Sequence, residues 1–101
     1  MKREKDTVDK YKKMLTRNRQ DLELRYHISS LGLFGSRLRG EQKKDSDLDV
    51  LVSFSTPPSL FQFAGLQYHL SDLLGVKVDL VMRDSLKPGI GRRILKEVEF
   101  V

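Results

Sequence analysis

The chain has 101 residues, 33% of them charged and 39% hydrophobic, with a net charge of +5 and no cysteine. That is enough chain for one domain with a thin core. It excludes disulfides, zinc–thiolate centres and cysteine nucleophiles, and no apolar run approaches the ~20 residues that a bilayer crossing needs.

Residues 1–25 hold nine Lys/Arg and five Asp/Glu, a balance of +4, which leaves +1 for the other 76. The first 20 residues are too polar for a signal peptide, so a cytoplasmic location is expected. Val8, Tyr11 and Leu15 recur at helical spacing, and Leu22 and Tyr26 resume the stripe, which predicts a helix over 4–26. The polar run "TRNRQD" predicts a break near Asn18. The basic excess reads as a solvated face of mixed charge, so direct nucleic-acid binding is not expected. "ISSLGLF" (28–34) predicts the first strand, ending at Gly35.

"GSRLRGEQKKDS" follows. Its first part predicts a short helix ended by Gly40, then a loop. "DLDVLVSF" (47–54) alternates, with Leu48, Val50, Val52 and Phe54 on one face and Asp47, Asp49 and Leu51 on the other. Ser59 and Gln62 have capping-box spacing. The helix they open carries Phe63, Leu66, Leu70, Leu73 and Leu74 as its stripe, and Gly75 stands at the C-terminal cap position. "VKVDLVM" (76–82) predicts a third strand that sets Lys77, Asp79 and Val81 opposite its apolar face. A last helix, starting near Pro88, is expected to turn Ile90, Ile94 and Val98 inward and to fray around Gly89 and Gly91. The order defines an α/β (α+β) layered domain: one small mixed sheet flanked by helices. The whole of 1–101 is a single unit, with a basic helical region (1–27) ahead of a catalytic core (28–101).

Asp47, Asp49 and Asp79 stand out as candidate catalytic and metal-binding residues. Each lies opposite its strand's main apolar stripe, so neighbouring strands would make the three converge. Carboxylate oxygens on a rigid sheet suit Mg²⁺, with Mn²⁺ as the alternative. Gly35 and Ser36 are candidate nucleotide-binding residues: a glycine at a strand end lets backbone approach a phosphate, and the helix that follows offers free N–H groups. Arg37 and Arg39 divide evenly between phosphate contact and surface charge. Ser36 reads equally as a helix cap, and it is no hydrolase nucleophile because the G-x-S-x-G elbow is absent. Phosphate cradle plus metal carboxylates means nucleotide chemistry. His27 and His69 read as surface or core residues, and Tyr11, Tyr26 and Tyr68 as packing residues.

"GSRLRG" followed by "SDLDVLV" resembles the Gly-Ser…Asp-x-Asp signature of the DNA polymerase beta nucleotidyltransferase superfamily. Size and pattern resemble its minimal nucleotidyltransferases, the MNT family. "YHISSLGLFGSRLRG", "DSDLDVLVSF", "LSDLLGVKVDLV" and "LKPGIGRRILKEV" all fall in family order. The resemblance implies that Gly35 and Ser36 contact nucleotide phosphates and that Asp47 and Asp49 bind metal. It makes Asp79 the third carboxylate, which completes a second Mg²⁺ site and helps to deprotonate the acceptor. Leu38 departs from the alanine frequent in the family, a difference of packing. By the same resemblance the chain is similar to the antitoxin half of HEPN–MNT toxin–antitoxin pairs, which implies transfer of AMP from ATP to a tyrosine hydroxyl of a HEPN toxin. The rival readings are an antitoxin that acts by binding alone and nucleotidyl transfer to a small molecule or RNA end. Self-association stays open.

Overall fold

The computed structural model describes residues 4–39 and 47–101, with side chains from Val8 onward. The expected helix stop at Gly40, the loop after it and Asp45 lie outside the described residues. The elements run α1 (Glu4–Tyr26), β1 (Ile28–Phe34), α2 (Ser36–Arg39), β2 (Leu48–Phe54), α3 (Leu60–Leu74), β3 (Val78–Met82), a 3₁₀ turn (Arg83–Ser85), α4 (Pro88–Glu97) and β4 (Glu99–Phe100).

The four strands form one mixed sheet in the order β3-β2-β1-β4. β1 runs antiparallel to β2 and β4, whereas β2 and β3 are parallel. The parallel pair needs a crossover, and α3 supplies it. Ser59 accepts from the Gln62 N–H while the Gln62 side chain accepts from the Ser59 N–H, and Gly75 closes the helix at φ 67°. Both expected caps are therefore in place.

The core lies on one face of the sheet. Val8, Tyr11, Leu15 and Leu22 of α1 and Leu66, Leu70 and Leu74 of α3 pack there with Leu31, Leu33, Leu48, Val50, Val52, Val78 and Leu80 from the strands. Burial of this apolar surface is the main stabilising term for a chain this short. Leu38 of α2 packs against the same cluster, which accounts for a large side chain at that position.

Several details differ from the sequence expectation. α1 is continuous, with no break at Asn18, whose amide donates to the Met14 carbonyl at 2.7 Å and so keeps a polar side chain bonded within the helix. The helix ends at His27, which takes φ 58° without a glycine and whose N–H donates to the Glu23 carbonyl at 2.9 Å. β3 starts at Val78 rather than Val76, and the Lys77 carbonyl just ahead of it accepts the Leu48 N–H, the first bond of the β2–β3 ladder. α4 runs unbroken through Gly89 and Gly91, but Ile90 is 52% exposed rather than inward. Tyr68 does not pack: it is 81% exposed on the outer face of α3. Tyr11 and Tyr26 do pack against the core, and the Tyr26 hydroxyl meets His69 Nδ1 at 3.0 Å. β4 was not anticipated at all. Among the described residues, no helix is long and apolar enough to cross a membrane.

Candidate active site

The second face of the sheet carries the acidic residues. Directly paired residues of adjacent strands project to the same side, and the parallel ladder pairs Asp49 with Asp79. Their Cα atoms are therefore one inter-strand spacing apart, about 4.8 Å. Asp47 stands at the entrance of β2, one position outside the ladder, and is half-buried. Leu51, on the same side as Asp49, is fully buried, so β2 has two covered faces rather than one apolar and one wet.

Gly35 follows β1 at φ 91°, a conformation that L side chains rarely adopt. A Cβ there would fall 1.9 Å from Asp49 Oδ2. The glycine thus serves two ends: it turns the chain from β1 into α2, and it admits the Asp49 carboxylate against the backbone. α2 is a single turn, too short for much of a helix dipole. The anion-holding groups are instead the Gly35 N–H and the Arg39 guanidinium, and both are engaged by one carboxylate. Glu97, the last residue of α4, accepts from Gly35 N at 3.3 Å and from Arg39 Nη1 at 3.0 and 2.9 Å. Ser36 and Arg37 are half-buried beside them.

Asp49 feels all of this. Burial pushes its carboxyl up, the charges of Asp79 and Asp47 push it further, Arg39 pulls it back and Glu97 adds a little, leaving it at about 6. Repulsion of this kind is what a divalent cation relieves, and the donor set is all oxygen, as Mg²⁺ and Mn²⁺ require. Among the described residues, no three carboxylate or imidazole side chains enclose an ion as they stand. Asp79 is exposed and Asp47 half-buried, so both have room to turn towards Asp49 about their own side-chain bonds.

The structure therefore brings Asp49, Asp79, Gly35 and Arg39 to one place, with Asp47 near enough to act on Asp49 electrostatically. Glu97 is the residue that sequence reasoning missed. An acidic residue in the last turn of a helix opposes the helix dipole, and that was its one faint signal.

A mixed sheet that presents paired aspartates beside a glycine turn at a strand end defines a small nucleotidyltransferase. The chain belongs to the nucleotidyltransferase domain family, whose match spans residues 11–101. It is 45% identical over 95 residues to the protein adenylyltransferase MntA of Thermococcus cleftensis, covering 94% of this chain and 96% of that protein. A solved chain assigned as a minimal nucleotidyltransferase matches with a TM-score of 0.71 at 35% identity, over 88% of this chain and 93% of the other. A chain from the complex of the tri-AMPylated Shewanella oneidensis HEPN toxin with an MNT antitoxin shares the fold, with a TM-score of 0.59 at 20% identity, over 96% of this chain and 70% of that one.

Proposed function

We propose that this nucleotidyltransferase is the antitoxin of a toxin–antitoxin pair and acts in the cytoplasm by transferring AMP from ATP to a tyrosine hydroxyl of a cognate HEPN toxin. The observation that carries the reading is the register that sets Asp49 against Asp79, with Gly35 closed onto the Asp49 carboxylate. Similarity to a protein adenylyltransferase across nearly the whole length supports a protein acceptor. The HEPN partner is supported by the fold shared with the chain from the AMPylated toxin complex.

In this reading the Gly35 N–H and the Ser36 hydroxyl donate to phosphate oxygens, and Arg39 and Arg37 balance their charge. Asp47, Asp49 and Asp79 would hold Mg²⁺, or Mn²⁺ in its place. When bound, two such ions draw charge from the α-phosphate and acidify the attacking hydroxyl. Asp79, the most exposed of the three carboxylates, faces the acceptor and takes its proton. The new bond joins the acceptor oxygen to the α-phosphorus; the bond to the bridging oxygen breaks, and pyrophosphate leaves. The rigid sheet fixes these groups in advance, and such positioning supplies most of the rate.

The test is to incubate the chain with ATP, Mg²⁺ and a HEPN protein and to weigh the HEPN protein by mass spectrometry. A gain of one or more AMP units that disappears with Asp47→Asn is expected. Neutralisation of the toxin that survives Asp47→Asn with no gain in mass contradicts the reading, as does label found only on added RNA or a small molecule.

A further inference from the structure

Glu97 lies outside the three-aspartate set, yet its carboxylate rests on the very groups assigned to phosphate. Gly35 N donates to Oε1 at 3.3 Å, and Arg39 Nη1 donates to both oxygens at 3.0 and 2.9 Å. A carboxylate and a phosphate edge ask for the same donors: a backbone N–H and a guanidinium. An anionic group already sits on these donors. From this geometry we propose that Glu97 is an internal competitor for the phosphate cradle, occupying it until a nucleoside triphosphate displaces it. The inference rests on the reading of Gly35, Ser36 and Arg39 as the phosphate site.

The backbone around Glu97 allows the exchange without unfolding. Phe100 and Glu99 pair with Gly32 and Leu33. Val98 is wedged against Gly32, where an added Cβ would come within 2.7 Å of Val98 Cγ2. The Lys12–Glu99 ion pair, at 2.7 Å, ties the same segment to α1. The chain on either side of Val98 is held, so the Glu97 side chain leaves by rotating about its own bonds, and Arg39 passes from carboxylate to phosphate. With 28% of its side chain accessible, Glu97 has solvent to turn into. The contact also explains an unfavourable choice of residue: a negative charge at a helix C-terminus, near an already repulsive Asp49, that nonetheless keeps a place. Glu97 thereby sets nucleotide affinity, and it keeps Arg39 ordered when the site holds no nucleotide.

Isothermal titration with Mg²⁺ and a non-hydrolysable ATP analogue tests this on the full chain, in wild type, Glu97→Gln and Glu97→Asp. The shorter Glu97→Asp side chain keeps the charge but falls short of Gly35 N, whereas Glu97→Gln keeps the reach and loses the charge. Internal competition predicts that both variants bind the analogue roughly twofold to fivefold more tightly, the range expected for loss of a part-exposed ion pair. Tighter binding by Glu97→Gln alone, with Glu97→Asp at the wild-type value, would mean that only the field of the charge matters and overturns the proposal. Weaker binding by both would mean that Glu97 positions Arg39 in the bound state, which also overturns it. Ser36→Ala and Arg39→Gln complete the set. If they weaken binding while the Glu97 variants leave it unchanged, the phosphate site stands and the competitor does not. If all four bind as wild type does, the phosphate site itself is misplaced and the competitor falls with it.

Discussion

Asp49 is the residue on which burial and the repulsion of neighbouring carboxylates converge. Its folded-state pKa of about 6 lies above the ordinary value of 3.8, so the folded chain binds the extra proton. The resulting stabilisation is fully present below pH 3.8 and is lost as the pH rises from there through about 6. A shift of this size converts to about 3 kcal/mol, and partial exposure of the carboxylate discounts it to roughly 1 kcal/mol. Asp49→Asn should therefore melt about 4–8 °C above wild type at about pH 7.5 without metal, a gap that closes by about pH 4. Scanning calorimetry across that range checks it. If Asp49 holds the metal as proposed, the same variant should lose AMP transfer by about 10³-fold, because a lost ligand forfeits several kcal/mol of charge stabilisation. Gain of stability with loss of activity in one substitution separates a functional carboxylate from a structural one. Gly35→Ala should behave differently: with φ at 91° and Asp49 Oδ2 in the way, it should cost roughly 2–4 kcal/mol in urea denaturation as well as activity.

Among the elements, α3 has the clearest dependence on local chemistry. Ser59→Ala removes the capping box and should destabilise the fold by about 1 kcal/mol, while Leu70→Ala, from a fully buried site, should cost roughly 2–5 kcal/mol; urea titration of both variants orders the two effects. These features were legible in the sequence because the signals are local: Ser59 and Gln62 are three residues apart, and the stripe through Leu66, Leu70 and Leu74 has the helical period. β1 was legible to the residue for a related reason, with His27 and Gly35 bounding one apolar run. β4 was not, because two residues make no period and the strand exists through its pairing with Gly32 and Leu33, far earlier in the chain. The polar run at Asn18 misled because its amide bonds back to Met14 instead of breaking the helix. Tyr68 and Ile90 had helical spacing but no surface opposite them, and periodicity does not say whether a partner element exists.

Across the whole molecule, the sheet order explains how so short a chain makes a site. β1 and β2 occupy the middle, β2 carries Asp49, and the β2–β3 ladder brings in Asp79 while β1 ends at Gly35. The main core cluster sits on the opposite face, although Leu51 is buried on the same side as Asp49, so the aspartates stand outside that cluster. Native-state hydrogen exchange should find the slowest amides in β1 and β2 and faster ones in the middle of α4, none of whose residues is buried. The pairing of Asp49 with Asp79 was foreshadowed in the sequence because each takes the position opposite its strand's apolar stripe in a cleanly alternating run. What the sequence did not contain was the distance between those strands or the return of Glu97 to the glycine turn. Tertiary structure alone supplies both.

In the proposed function, the three carboxylates and the glycine turn bind a divalent ion and a triphosphate together. Crystals grown with Mn²⁺ and a non-hydrolysable ATP analogue, with data collected at the manganese edge, test it directly. Anomalous peaks in contact with Asp47, Asp49 and Asp79, and with phosphates lying on Gly35 and Ser36, are predicted. Manganese bound to the nucleotide alone and out of reach of Asp79, or a triphosphate lying away from Gly35, would contradict the account.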